Sequence, residues 1–124
     1  MGPRLLPAIV LLALTLGGCP SMLVTSGQRP RLDVLGAELT LGTSTEADAR
    51  RVLGPPDGRG RSLLPVGASQ RPMAMWTYAY VEGWVDVPRM RDMRSAQLYL
   101  YFDEGRLQGF MWFSSLPAPA SAPR

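Results

Sequence analysis

The sequence predicts an α+β domain in which one or two N-terminal helices pack on a three-stranded antiparallel β-meander, behind a cleaved lipoprotein signal peptide. Three observations support this fold class: one strongly capped helical segment, aromatic-rich runs that alternate with the period of a strand, and an Asp-Glu-Gly turn that returns the chain into a last strand. The chain has 124 residues, and removing the first 18 leaves about 106, enough for one modest core and no second domain.

Residues 1–18 have the features of a secretory signal peptide. Arg4 supplies a positively charged start, 5–16 is a mostly apolar run, and Gly17 and Gly18 are the small residues that precede a cleavage site. About twelve apolar residues span roughly 18 Å as a helix, well short of the roughly 30 Å hydrocarbon core of a bilayer. The pattern therefore favours a cleaved signal peptide over a transmembrane anchor.

The end of this segment resembles the lipobox of bacterial lipoproteins, in which an aliphatic residue and two small residues precede the lipidated cysteine. Leu16, Gly17, Gly18 and Cys19 match that pattern, and Cys19 is the only cysteine of the chain. The resemblance implies cleavage between Gly18 and Cys19 and acylation of Cys19 with fatty acids such as palmitate. In lipoproteins of two-membrane bacteria, a residue such as Pro20 rather than aspartate after the cysteine implies the outer membrane, facing the periplasm. An ordinary signal peptide followed by a free thiol is the alternative.

Composition divides the remaining chain into three parts. Residues 19–31, rich in Ser, Gly and Pro, read as the lipidated cysteine and a flexible tether with a reach of roughly 20 Å. Residues 32–115 hold the folded domain. Residues 116–124 are Pro/Ala-rich and bury little apolar area, so we expect a disordered tail.

The domain begins with a short apolar stretch, 32–41, that fits a ragged helix or a strand equally well. A clear helix follows, because Thr45 and Asp48 have the spacing of a capping box, and register favours Thr45 over Thr43 as the N-cap. Gly54 supplies the stop, and two prolines follow it. The inner face of this helix comprises Ala49, Val52 and Leu53.

Residues 57–72 read as a loop that contains Gly58-Arg59-Gly60-Arg61. Glycine and arginine together suit a phosphate, but no predicted strand leads into this motif and no helix opens after it. A solvated loop is the favoured interpretation.

Three strands are predicted, over 75–81, 97–102 and 106–113. The turn at 103–105 joins the last two, and Gly105 is able to take a positive φ. Alternation turns Leu98, Leu100 and Phe102 toward the core.

The aromatic residues of these strands have two interpretations. Trp76, Tyr78 and Tyr80 at strand spacing are typical of a core, although they also suit a stacking platform for sugar. Tyr99 and Tyr101 point to the opposite face, where they would form a partly exposed apolar surface and a second binding candidate.

The connection over 83–94 is about twice the usual length of a hairpin loop and mixes apolar residues with arginines. One interpretation is an edge extension whose apolar residues fold back on the sheet. The other is a docking surface for a partner protein or an anionic lipid headgroup, since Trp, Met and Arg are enriched in interface cores. The candidate contact residues are Trp84, Arg89, Met90, Arg91, Met93 and Arg94.

Composition excludes many kinds of chemistry. The chain has no histidine and no lysine, so its 13 basic residues are all arginine, against 10 acids. Catalysis by a Ser–His–Asp triad or a Cys–His pair, a histidine or multi-cysteine zinc site, a Schiff-base lysine and an internal disulfide are therefore excluded within one chain. We therefore expect no catalytic residue, no metal and no cofactor. A net charge of +3 is weak, so we also expect no nucleic-acid partner.

The order of these motifs resembles the SmpA/OmlA family of BamE-like lipoproteins. The matching segments are the helix start at 42–46, the helix stop at 52–56, Trp-Thr-Tyr at 76–78, and the strand and turn at 98–107, behind a lipobox. The resemblance covers about 39–115. It implies two helices on a three-stranded antiparallel sheet, with no enzymatic activity.

The expected function follows from this resemblance. The best-known member of the family is an accessory lipoprotein of the β-barrel assembly machine, which implies a scaffold or accessory role in envelope or outer-membrane protein assembly. The same fold also occurs in secreted β-lactamase-inhibitor proteins, so the alternative is a stand-alone periplasmic module that binds a ligand or an enzyme. A surface-stabilising protein with no single partner is a third possibility.

Overall fold

The structure, a computed structural model, describes residues 21–62, 71–86 and 89–117. The predicted signal peptide, Cys19 and the end of the predicted tail lie outside the described residues. A 3₁₀ turn, Leu32–Val34, precedes the α-helix. The helix and strands are β1 (Met22–Gly27), α1 (Glu46–Leu53), β2 (Gly58–Ser62), β3 (Met73–Asp86), β4 (Arg89–Asp103) and β5 (Arg106–Ser114).

The described strands form one antiparallel sheet in the order β1-β3-β4-β5, with β2 also paired to β3. β1 pairs with residues 80–85 of β3, and β2 pairs with residues 73–77. The two strands therefore lie end to end along one edge of β3, while β5 forms the other edge of the sheet. The predicted α+β class with an antiparallel sheet is confirmed, but the sheet has five strands rather than three.

β1 lies inside the stretch predicted as a flexible tether. Met22 is opposite Val85 of β3, and Gly27 is opposite Tyr80. All six residues of β1 are exposed. The strand therefore has no buried face, and the sequence shows no apolar–polar alternation that would predict it. The segment is ordered by hydrogen bonds to a strand about 55 residues later, which no local pattern encodes.

β2 replaces the predicted loop around Gly58-Arg59-Gly60-Arg61. Gly58 is opposite Thr77, and a Cβ at Gly58 would come within 2.6 Å of the Thr77 side-chain oxygen, so a larger residue there would require the Thr77 side chain to move. A Gly-Arg repeat has low strand propensity, and the pairing with β3 overrides it. The phosphate cradle considered from the sequence does not form, because this backbone is used in a ladder.

The long connection over 83–94 is mostly strand as well. β3 continues to Asp86 and β4 begins at Arg89, so the predicted loop is the distal part of a long hairpin. Its register shifts between Glu82 and Trp84, where Asp92 takes a φ of 52°. This β-bulge lengthens β4 by one residue and hides the alternation that would otherwise have revealed the strand.

The predicted helix is confirmed. Thr45 is its N-cap and forms a full capping box with Asp48, and Gly54 ends it with a φ of 81°. Ala49 and Leu53 are buried, as the inner face requires. The arginines in its last turn suit the negative end of the helix dipole.

The capping box makes the stability of the domain depend on pH. The Thr45 backbone N–H donates to the Asp48 carboxylate at 2.9 Å and is the main cause of the lowered pKa of Asp48, with the Thr45 hydroxyl second. Because this pKa is lower in the folded state, the stabilisation is present above the unfolded value of about 4 and is lost as the pH falls through the folded value.

We therefore expect Asp48→Asn to lower the free energy of unfolding at pH 7 and to lower it by less at pH 3, measured by urea denaturation. Glu46→Gln is the control, because it removes a charge from the same turn without touching the capping box. An Asp48→Asn deficit that is equal at both pH values would contradict the assignment.

The stretch 32–41 is neither of the two alternatives considered for it. Beyond the 3₁₀ turn, the chain folds back at Gly36, which has a φ of 80°, and forms a single bridge between Leu35 and Leu39. Val34 and Leu39 are 1% and 0% exposed, so this compact turn covers the sheet beside the helix.

The core lies between the sheet and the segment that carries the 3₁₀ turn and α1. The ring centroids of Trp76 and Phe102 lie 5.1 Å apart, and the Tyr78 hydroxyl donates to the Gly54 carbonyl at 3.1 Å. The predictions that Trp76 and Tyr78 are core residues, and that Leu98 faces inward, are confirmed. The buried cluster comprises Val34, Leu39, Ala49, Leu53, Trp76, Tyr78, Leu98, Leu100, Phe102 and Leu107.

The predicted turn between the last two strands is also confirmed. Glu104 and Gly105 have φ values of 49° and 74°, which is the geometry of a two-residue type I′ turn. Arg71 pairs with Asp103 at 2.9 Å and with Glu104 at 3.4 Å beside this turn.

Candidate functional site

The distal part of the sheet, which we call the hairpin arm, carries most of the predicted contact residues. It consists of β1 together with residues 82–86 of β3 and 89–94 of β4. None of the residues of the buried cluster belongs to the arm. The arm therefore projects beyond the core as three strands.

Exposed apolar side chains occupy both faces of the arm. Trp84 is 42% exposed and lies on the face that carries the core further along β3. Met90 and Met93 are 54% and 57% exposed and lie on the opposite face, where both approach Gly83. The structure thus brings these three predicted contact residues into one region, but on two faces.

Sequence reasoning missed a second strand of this site. Met22, Leu23 and Val24 of β1 are 61%, 47% and 38% exposed. Leu23 lies opposite Trp84, so it extends the same apolar face. The only local signal was the apolar run Met-Leu-Val itself, in a stretch that otherwise reads as a tether.

The arginines of the arm are largely balanced by acids. Arg91 pairs with Asp86 at 3.1 Å, and Arg94 lies opposite Glu82 in the ladder. The segment 82–94 holds three arginines and three acids, so its formal charge is zero. The exposed surface of this segment is therefore largely apolar and carries no net formal charge.

The carboxyl-terminal end of β1 is held to β3 by a small polar network. Arg29 pairs with the Glu82 carboxylate at 3.2 Å and stacks over the Tyr80 ring at 5.3 Å. The Tyr80 hydroxyl donates to the same carboxylate at 2.8 Å, and this hydrogen bond is the main cause of the raised pKa of Tyr80. These contacts act on the chain directly after β1 and support its docking.

A substitution at Gly27 tests whether β1 is paired with β3. Gly27 has a φ of 81°, and a Cβ there would collide with the Ala79 carbonyl. We expect Gly27→Ala to destabilise β1 by at least about 1–2 kcal/mol, the usual cost of a left-handed residue, and to accelerate hydrogen exchange in Met22–Gly27 without changing exchange in β4. Gly36→Ala is the matched control, because its φ is 80° but nothing lies near its Cβ. Equal exchange in wild type and Gly27→Ala would indicate that β1 is not paired.

The second predicted surface is only partly available. Tyr99 is half-buried on the outer face of the sheet, and its hydroxyl donates to Gln97. Tyr101 points to the same face but is 4% exposed, with Met75 and Gly109 opposite it in the neighbouring strands. Burial, with Tyr99 as a lesser cause, raises the pKa of Tyr101. The expectation that Tyr101 is a contact residue is therefore wrong.

Trp76 is not a stacking platform for a ligand. It is 4% exposed, and the guanidinium groups of Arg50 and Arg59 lie 5.5 and 5.1 Å from its ring centroid. Its ring is used in the core and in two cation–π contacts, and Arg59 of the Gly-Arg segment is one of them.

Several acids of the described residues form ion pairs with arginines. Asp86 and Glu82 are held by arginines, as are Asp103 and Glu104. Within residues 21–62, 71–86 and 89–117, no group of three or more acids or cysteines has the geometry to hold a metal ion.

Two further observations concern the membrane. Cys19 and Gly18 lie outside the described residues, so the predicted cleavage and acylation stay predictions. In the part of the chain that the structure describes, no helix is long and apolar enough to span a bilayer.

Comparison with known proteins identifies no relative. We found no protein-family model, no curated protein and no solved structure that matches this chain. The resemblance to the SmpA/OmlA family therefore depends on the sequence motifs alone.

Proposed function

We propose that the chain is a non-enzymatic outer-membrane lipoprotein that acts as a scaffold or accessory factor in envelope or β-barrel protein assembly. In this proposal acylated Cys19 anchors it to the periplasmic leaflet, and the tip of the hairpin arm contacts the bilayer. The observation that carries the proposal is the pairing of β1 with β3, because it places the start of β1 at the tip of the β3–β4 hairpin.

Chain geometry limits the distance between Cys19 and the start of β1. Met22 lies opposite Val85, one residue from the end of β3, and only two residues lie between Cys19 and Met22. Consecutive Cα atoms are about 3.8 Å apart, so the Cα of Cys19 lies at most about 11 Å from that of Met22. An acyl chain on Cys19 would bring the arm tip to the membrane, instead of leaving the domain on a tether with a reach of roughly 20 Å.

The composition of the tip supports shallow insertion. Apolar side chains on both faces favour one surrounding apolar medium over a partner that covers a single face. Tryptophan and arginine near a headgroup layer keep their polar ends in water while their apolar parts are buried. The neutral charge of 82–94 is consistent with contact that does not require anionic lipid.

A photocrosslinking amino acid placed in the full-length protein in native membranes tests the orientation. We expect a crosslinker at position 90 to give lipid adducts and a crosslinker at Leu41, an exposed residue outside the arm, to give none. Protein adducts at position 90 without lipid adducts would overturn the membrane contact and favour a docking surface for a protein.

A substitution pair gives the matched control. Met90→Glu with Met93→Glu is expected to reduce the lipid adducts of a crosslinker at position 84 without lowering the thermal midpoint, because both methionines are exposed. Leu41→Glu should leave those adducts intact. A lowered midpoint in the double variant would indicate that these methionines pack on the sheet instead.

The scaffold role needs a separate readout. Crosslinking in native membranes followed by purification is expected to recover barrel-assembly components with the wild-type protein. Recovery of a soluble periplasmic ligand or enzyme instead would support the stand-alone binding module.

A further inference from the structure

The edge strand β5 carries a continuous apolar surface that the proposed function does not use. Phe110, Met111, Trp112 and Phe113 are consecutive and are 36%, 38%, 50% and 58% exposed. No charged residue occurs between Leu107 and Pro117. Natural sheet edges are normally protected by charges, prolines or covering segments, so this edge is unusual.

The first part of this edge is in fact covered. The Gly42 N–H donates to the Leu107 carbonyl at 2.6 Å, and the Leu107 N–H donates to the Ser44 carbonyl at 2.8 Å. A bridge between Thr45 and Arg106 continues this cover. Within the described ranges, no comparable backbone hydrogen bond reaches β5 beyond Leu107 from any segment other than β4.

The direction of the free groups follows from the ladder. The Ser115 N–H donates to the Ser95 carbonyl at 2.9 Å, which continues the β4–β5 pairing. In an antiparallel ladder every second residue of an edge strand directs its N–H and C=O away from its partner. Those residues are therefore Phe110, Trp112 and Ser114, which leaves three donors and three acceptors available to another strand.

The opposite edge of the sheet is less suitable for pairing. β2 carries Arg59 and Arg61, and β1 ends in Thr25, Ser26 and Gly27. Neither strand combines the length of β5 with large apolar side chains on both faces. The pairing potential of the sheet is therefore concentrated at the end of β5.

We propose that β5 pairs antiparallel with β5 of a second copy of this chain, about a two-fold axis at Trp112. In this register Phe110 lies opposite Ser114 of the second copy, so all three outward residues form backbone hydrogen bonds. Met111 then lies opposite Phe113 of the second copy. The result is an isologous dimer with one continuous sheet.

The chemistry of the strand identifies its partner. Phe110 and Trp112 lie on the helix face of the sheet, whereas Met111 and Phe113 lie on the outer face. An incoming strand must therefore be apolar on both sides, which β5 itself is. A strand of a β-barrel protein is apolar on one side and polar on the other, so it would bury polar groups against one pair of these residues. The absence of charge removes electrostatic repulsion between two copies.

Charge-swapped variants test both the dimer and its register. Two full-length copies with different affinity tags are produced in one cell, extracted from whole cells with detergent, and purified through one tag. We expect wild-type copies to purify together. Met111→Glu with Phe113→Glu in both copies should reduce recovery of the second tag at least tenfold, as should Met111→Arg with Phe113→Arg in both.

Combining the Glu variant with the Arg variant should restore recovery, since each glutamate then faces an arginine of the other copy. Leu41→Glu, at a residue 51% exposed and outside β5, is the matched control and should not reduce recovery. The two residues in the swap, Met111 and Phe113, are exposed on β5, and an unchanged thermal midpoint of each variant confirms that it is folded.

Four results would overturn the proposal. Wild-type copies that do not purify together exclude the dimer. Glu–Glu copies that still purify together place the interface elsewhere, and a Glu–Arg mixture that stays apart excludes this register. Larger assemblies of the wild type would indicate pairing of β5 with β1 of the next copy. None of these measurements depends on the hairpin arm or on Cys19. A negative result here therefore leaves the proposed function intact, and failure of the proposed function leaves the dimer proposal intact.

Discussion

Leu98→Ala is expected to lower the free energy of unfolding by about 2–5 kcal/mol, a large part of the about 5–15 kcal/mol typical of a domain. Leu98 is 0% exposed and lies on β4 between Tyr78 on β3 and Trp112 on β5. Truncation removes the transfer free energy of the lost methyl groups and leaves a cavity in the middle of the sheet face that the helix covers. Urea denaturation, followed by tryptophan fluorescence, measures the loss.

Leu41→Ala is the matched control for this result. Leu41 is 51% exposed, so the same chemical change should alter the free energy of unfolding by no more than about 0.5 kcal/mol. A similar loss in both variants would mean that the inner face of β4 is not packed as the structure has it. The comparison therefore tests the strand register as well as the core.

Cys19→Ser is expected to abolish incorporation of labelled fatty acid and to move the full-length protein from the membrane to the soluble periplasmic fraction. Two or three acyl chains bury enough methylene groups, at about 0.8 kcal/mol each, to make anchoring stable, and serine accepts none of them by this route. Ser21→Ala, two residues further along the chain, is the control and should keep both label and location.

The outcome of that experiment also bears on the hairpin arm. A Cys19→Ser protein that takes up no label but stays on the membrane would show that it is held there without acylation, either by the exposed side chains of the arm or by an uncleaved apolar segment 5–16. A wild-type protein that takes up no label would contradict the lipobox assignment and, with it, the proposed orientation of the arm.

Local sequence features determined the parts of the fold that depend on near neighbours. The capping box of Thr45 and Asp48 and the turn with a positive φ at Gly105 each depend on residues within a few positions, so both were predicted correctly. The inward alternation at Leu98, Leu100 and Phe102 was predicted for the same reason, because a strand with one buried face has a period of two.

The candidate site was predicted only in part. Trp84, Met90 and Met93 were recognised from composition, as aromatic and sulfur side chains in an overlong connection, and they are exposed. The prediction for the outer face did not anticipate that Tyr101 would be buried. That outcome depends on which residues lie opposite one another across strands.

The sequence by itself therefore determined the helix, the last hairpin and the inward face of β4, together with the motifs that predict a lipid anchor. Only the tertiary structure decided that β1 and β2 are strands, that 83–94 is a bulged hairpin, and that Met22 lies at its tip. The physical reason is that strands with little burial of their own are stabilised by backbone hydrogen bonds to residues far away in the chain, and no local pattern specifies those partners.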